Sequence, residues 1–288
     1  MKMLAAQLNL MLHKRGFQIS FTLVMLYVMY IFVQLYWYRS MTDIDVFDYS
    51  NLMAVHSGFL NESGERQLDT LLFFFPFIAV MPFSFSLYVD RSTRISDIVI
   101  SRCGKSSYYF SKLFTAFTGS FLIFFIPLMI STALTHIFYA PSLLNIFDPN
   151  YSEATAGGKA FLSMRDVTLE LIFFSPVLGE TFAAFLFSCY AGACGMLALA
   201  FSNCFGRVSV LIFVPVYVLT KLFDFTRSVI KVEYDYTYFQ LDPVKYAVIS
   251  SDSHFYGRPL WLCALVVGGI IALSAVMTFI VSRRDRLN

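Results

Sequence analysis

The chain has 288 residues, of which 58% are hydrophobic and only 14% charged, and its formal net charge is +2. A water-soluble domain carries about 25% charged residues, so this composition cannot coat a soluble fold with polar groups. A charge so close to zero leaves no electrostatic footprint for nucleic acid.

In chain order, residues 1–15 predict an amphipathic interfacial helix with Leu4, Leu8, Met11 and Leu12 on one face. The alternative is a cytoplasmic extension of the first span. Met3 to Leu12 resembles the apolar part of a signal peptide, but His13-Lys14-Arg15 interrupts it and no small-residue cleavage site follows. A membrane-crossing helix needs about 20 apolar residues, and six stretches supply them: Phe17–Tyr38, Leu71–Val89, Leu113–Phe138, a span within Leu169–Phe201, Val208–Phe223 and Leu260–Val281. The first ends in Tyr36-Trp37-Tyr38, as at a membrane interface. The fourth stretch, at 33 residues, is too long for one straight span. Pro176 and Gly179 predict a break there, leaving a short outer element and a span of Phe182–Phe201.

Orientation follows from Lys and Arg. With the N-terminus inside, the inner loops and ends hold 12 basic residues and three acids, and the outer remainder carries a net −7. The reverse orientation would put the basic clusters outside. The expected fold is therefore an all-α membrane protein, residues 1–288 forming one transmembrane domain of six helices with both ends inside. The inner loop 90–112 is the longest on its face, and the outer segment 224–259 is rich in aromatics. None of the five cysteines forms a CxxC pair and none lies in an assigned outer loop, which predicts free thiols.

The inner segment Asp90–Arg102 predicts a helix. Ile95, Ile98, Val99 and Arg102 recur at i, i+3, i+4 and i+7, and Arg94 is spaced to pair with Asp90 and with Asp97. A short helix cannot bury such a stripe alone, so it either docks into a soluble partner or rests on lipid headgroups. Asp90-Arg91-Ser92-Thr93 is followed by Ile95–Ile100, then Ser101-Arg102, then Tyr108-Tyr109-Phe110-Ser111-Lys112. This order resembles the signature loop of ABC-2 type permeases, the membrane subunits of one class of ATP-binding-cassette transporters. The family often has Gly before its Thr and Pro after its Arg; here those places differ, with Cys103-Gly104 after Arg102. The wider layout is similar over the full length.

The resemblance implies a permease subunit of an exporter, moving a hydrophobic or amphipathic substrate such as a peptide, drug or lipid. It implies that 90–112 carries a coupling helix touching a cytoplasmic ATPase through Asp90, Arg91, Arg94, Asp97, Arg102 and Lys105. It further implies a second permease as partner, a re-entrant outer element within 224–259, and a multi-pass location in a bacterial plasma membrane. ATP and Mg would bind in the ATPase subunit, and this chain would not itself be an enzyme. Gly104-Lys105-Ser106 copies the end of a phosphate-binding loop, but Val99 stands where its first glycine belongs.

Ionisable residues inside spans are functional candidates because each is costly in lipid. Glu180 is the one placed to line an outward pathway, against an interfacial role; His136, Glu170, Lys221 and Asp224 mark span ends. Ala191, Gly192, Ala193, Gly195 and Ala198 allow close helix approach within the subunit or at a dimer seam, as does Gly268-Gly269. His13, His56, His136 and His254 are scattered, with no metal-ligand spacing. Asn61 and Asn150 open glycosylation-type triplets in outer loops. Two alternatives to a transporter are a membrane-embedded enzyme using Glu180, His136 and His254, and a non-transporting sensor or scaffold.

Overall fold

The computed structural model describes residues 2–41, 65–139, 176–202, 209–229, 233–234, 237–238, 242–244 and 260–284. Helix α1 (Lys2–Leu12) and α2 (Arg15–Met41) are separate helices joined by a turn at His13-Lys14. α1 packs on α6 (Lys105–Tyr139), so it is neither an extension of the first span nor a helix held by lipid alone. Its inward face is Gln7, Leu8 and Met11, while Leu12 turns outward, which shifts the predicted face by one position. Gly16 lets the start of α2 run against the carbonyl of Met81; a methyl group there would sit 2.7 Å from that oxygen.

The second apolar stretch is broken. Helix α3 (Glu65–Val80) stops, Met81–Phe85 forms a turn, and α4 (Ser86–Ser92) resumes. Pro82 lacks the N–H that would bond the carbonyl of Ile78, and its ring crowds that carbonyl. Pro82, Phe83 and Ser84 are buried, and side-chain bonds fasten the break to its neighbours: Ser120 Oγ donates to the Ala79 carbonyl at 2.5 Å, and Ser84 Oγ donates to the Gly195 carbonyl of the neighbouring helix at 3.3 Å.

Helix α5 (Ile95–Cys103) follows, then α6, α7 (Pro176–Ser202), a 3-10 turn (Ser209–Ile212), α8 (Val214–Val229) and α9 (Leu260–Arg284). A two-residue antiparallel pair, Glu233↔Tyr238 and Tyr234↔Thr237, lies between α8 and α9. Pro176 opens α7, the helix position where a missing N–H does no harm. The predicted break near Pro176–Glu180 is thus a helix start, and α7 is continuous through Glu180. Residues 169–175, like most of the outer element 224–259, lie outside the described residues.

Four of the described helices are long and apolar enough to cross a membrane: Arg15–Gln34, Lys105–Leu134, Val177–Ser202 and Leu260–Arg283. This is a helical membrane protein. The apolar parts of α3 and α8, Thr70–Val80 and Val214–Phe223, are shorter. Eleven helical residues rise about 16 Å, roughly half of a hydrocarbon core. Two of the six predicted crossings are therefore shorter than a full span, one because of Pro82 and the other because a 3-10 turn replaces its first helical turn.

The core lies between α6 and α7. Ala191, Ala193, Cys194, Leu197 and Ala198 are buried, so the small residues of α7 serve packing within the chain. Gly192 faces the ring of Phe117 at 2.7 Å from an added methyl, and a methyl on Gly195 would collide with Ser120. Gly268 and Gly269 on α9 have nothing within 4 Å of an added methyl. Gly195→Val is expected to destabilise the protein by about 1–3 kcal/mol through overpacking. Gly268→Ala is expected to be neutral or to stabilise by up to about 1 kcal/mol through helix propensity. Thermal unfolding in detergent checks both; equal shifts would contradict the seam.

Candidate functional site

The segment that carries the predicted coupling residues is two helices rather than one. α4 ends at Ser92, and Arg94 adopts the left-handed conformation with φ 56° before α5 begins. For a non-glycine residue this backbone is disfavoured by roughly 1 kcal/mol, and it turns α5 away from the axis of α4. Asp90 and Arg94 therefore do not share a helix face, and the predicted i,i+4 pair does not form the organising contact.

Asp90 is held instead by α6. Its Oδ2 lies 2.7 Å from Lys112 Nζ and accepts a hydrogen bond from the Tyr108 hydroxyl at 2.8 Å. Lys112 is 1% exposed and Asp90 16%. Both Lys112 and Lys14 place Nζ 4.9 Å from the centre of the Phe83 ring, a residue of the Pro82 break. Burial pushes the Lys14 ammonium below its usual pKa range, and the nearby Asp90 carboxylate partly offsets this. Next to this cluster, the Arg91 guanidinium donates to the Tyr109 hydroxyl at 3.3 Å. One carboxylate thus ties α4, the start of α6 and the α1–α2 turn together.

From that mount α5 projects. Val99 and Ile100 pack toward the core, while Ile95 and Ile98 are exposed, Ile98 by 58%. Arg94, Asp97 and Arg102 are exposed around them. The predicted stripe is split: Val99 is half-buried against this chain, while Ile95, Ile98 and Arg102 are exposed. Gly104 closes α5 with φ 80°, its N–H bonding the Ile100 carbonyl at 2.9 Å. A helix and not a strand precedes Gly104-Lys105-Ser106, so the surroundings of a phosphate-binding loop are absent there. Lys105 is half-buried at the start of α6.

Of the six predicted coupling residues, Arg94, Asp97 and Arg102 share the exposed surface, Arg91 and Lys105 flank it, and Asp90 anchors it from within. Lys14 and Phe83 were not legible as partners. Lys112 carried a signal: a cation between Phe110, Leu113 and Phe114 needs a counter-charge.

Glu180 is buried on α7, 15 residues from Gly195, which packs beside the Pro82 break. At helical rise that places it about 22 Å along the helix from the break, near the other end of the molecule. A separate cavity of about 210 Å³ lies between α3, α7 and α8, with Phe75, Tyr190, Tyr217 and Lys221 among its walls. Glu180 is not among its lining residues.

Cys103, Cys189, Cys194 and Cys263 are free thiols. Among the described residues no group of three His, Cys, Asp or Glu side chains could hold a metal ion. His56, Asn61, Asn150, Glu170, Cys204 and His254 lie outside the described residues, as do the side chains of His136 and Asp224. Comparison with protein-family models, with curated proteins and with solved structures finds no match.

Proposed function

We propose that this chain is the permease subunit of an ATP-binding-cassette exporter of the ABC-2 type, working in a plasma membrane with both ends in the cytoplasm. The observation that carries the reading is α5: a nine-residue helix with Ile95 and Ile98 bare between Arg94, Asp97 and Arg102. Exposed apolar side chains ringed by charge fit a protein surface better than water. Its two ends are set by positive-φ residues and its neighbour α4 is fastened to α6 by the Asp90–Lys112 pair. A push on α5 would thus reach α6, one of the long apolar helices. In this reading a separate ATPase subunit binds ATP and Mg, closes on α5, and the resulting tilt opens a pathway toward the outer face. Glu180 would lie near the exit, a second permease would complete the assembly, and the cargo would be hydrophobic or amphipathic.

Copurification of the tagged chain with a candidate ATPase tests the contact. Charge reversal at Arg94 and Arg102 together is expected to weaken capture about tenfold or more. Undiminished capture of an ATPase by that double variant would remove α5 from the interface. ATP-dependent movement of a substrate in proteoliposomes then separates a transporter from a scaffold or sensor on the same fold.

A further inference from the structure

The turn that joins α1 to α2 carries more positive charge than its neighbours neutralise. Residues 1–42 include no aspartate or glutamate, so His13-Lys14-Arg15 has no acidic neighbour on either helix. Asp90 acts on the turn from α4, but its Oδ2 is taken up by Lys112 at 2.7 Å and by the Tyr108 hydroxyl at 2.8 Å. Lys14 and Lys112 both lie 4.9 Å from the centre of the Phe83 ring, so two ammonium groups face one carboxylate and one positive charge is left over. Lys14 is half-buried and Arg15 beside it is exposed. The first turn of α2 holds no acid, so the positive end of its dipole adds to the same field.

The turn also sits at a defined depth. The apolar stretch of α2 starts at Arg15 and runs 20 residues to Gln34, about 30 Å of helix and the thickness of a hydrocarbon core. Arg15 is therefore at the level of the lipid headgroups. It heads a single row on α2: Ile19, Leu23, Leu26, Tyr30 and Val33 follow at i+4, i+8, i+11, i+15 and i+18, and each is at least 50% exposed. Charge at the headgroup level above an unbroken apolar row fits an anionic phospholipid. A soluble anion would use the charge and leave the row bare. A zwitterionic lipid brings an ammonium of its own, which the same field repels. We propose that the α1–α2 turn is a binding site for an anionic phospholipid, with Arg15 and Lys14 holding its phosphate and Ile19, Leu23 and Leu26 carrying one acyl chain. The site requires only that α2 crosses the membrane from Arg15, so it stands independently of the transporter reading.

The full chain, purified in non-ionic detergent, is titrated with palmitoyl-oleoyl phosphatidylglycerol and, separately, with palmitoyl-oleoyl phosphatidylcholine. Bound lipid is counted by native mass spectrometry. Phosphatidylglycerol binds at least about fivefold more tightly, the factor that one charge near a surface supplies. Arg15→Gln weakens its binding about fivefold, and Lys14→Gln with Arg15→Gln about thirtyfold. Arg283→Gln removes a charge at the end of α9, where the guanidinium lies over the Phe279 ring, and leaves the binding unchanged. Glycerol phosphate, the headgroup chemistry without chains, competes at least about a hundredfold more weakly. Equal binding of the two lipids would overturn the proposal, as would undiminished binding by Arg15→Gln. An equal loss in Arg283→Gln would reduce the site to a diffuse charge effect and overturn it. Displacement of the lipid by equimolar glycerol phosphate would make it a site for soluble phosphates and overturn it too. Folding of each variant is read from a monodisperse elution profile, and the exposed Arg15 keeps the test decisive should Lys14→Gln fail to fold.

Discussion

Replacing Asp90 by alanine is expected to lower stability by about 3–5 kcal/mol, the range for removing one partner of a buried ion pair. The reason is the state of Lys112. Its ammonium is 1% exposed and meets the carboxylate at 2.7 Å, with the rest of its surroundings supplied by Phe83 and Tyr108. Rings attract a cation but do not replace a counter-charge. Without Asp90 the lysine must either lose its proton or pull α6 away from the core. Removing both charges tells a different story from removing one: Asp90→Ala with Lys112→Met should recover most of the loss, because the deeply buried ammonium is gone and only the half-buried Lys14 still lacks the carboxylate. Tyr108→Phe deletes a single hydrogen bond to the same carboxylate and should lose about 1–2 kcal/mol. The midpoint of thermal unfolding of detergent-purified protein, taken through the double-mutant cycle, gives the coupling energy. If Asp90→Ala unfolds at the wild-type temperature, the pair does not fasten α4 to α6.

Phe75→Ala is expected to destabilise by about 3 kcal/mol, the low end for a buried phenylalanine. Phe75 is completely buried and touches three rings: Phe124 at 5.3 Å, Phe187 at 5.4 Å and Tyr190 at 5.2 Å between centres. It is the point where α3, α6 and α7 meet. In a water-soluble core the loss would include transfer of the ring from water. Here the separated helices would still lie in lipid as apolar as the core, so what is lost is mainly contact and the void left behind. Phe75→Leu, which fills most of that volume, should lose about 1 kcal/mol. Unfolding midpoints in detergent rank the two; an equal loss would show that the ring contacts, and not filled volume, carry the stability.

Much of the architecture is legible in the sequence because apolar length is a direct physical constraint. Four long apolar helices stand where runs of about 20 such residues are found. What the runs do not reveal is where a helix stops within them. Pro82 ends α3, whereas Pro76 and Pro127 lie inside their helices, and local sequence does not separate the cases. The difference is tertiary: at the Pro82 break Ser120 bonds the Ala79 carbonyl, and Ser84 fastens the turn to α7. The charged residues of 90–105 were identified as a group, but not sorted. Spacing put Asp90 with Arg94, since both fit one helix. The left-handed backbone at Arg94 divides that helix and leaves Asp90 to Lys112, 22 positions along the chain. A pairing of that kind follows from the crossing of α4 and α6, which no periodicity encodes. The cavity between α3, α7 and α8 was invisible for the same reason, since its walls come from three helices and a separate short segment.

The wedge of α1 against α6 has a consequence for the order in which the molecule is made. Met11 is 1% exposed because it fits over Gly119, where an added methyl would lie 2.6 Å from its sulfur. Gly119 is synthesised about a hundred residues after Met11. At a ribosomal rate of about 5–20 residues per second, the N-terminal helix waits about 5–20 seconds for its docking site to exist. During that interval its apolar face has no protein to cover it. A short helix with a modest apolar face, resting at the membrane surface and docking late, suits such a delay. A full membrane span in its place would be committed to the bilayer before its partner had been translated.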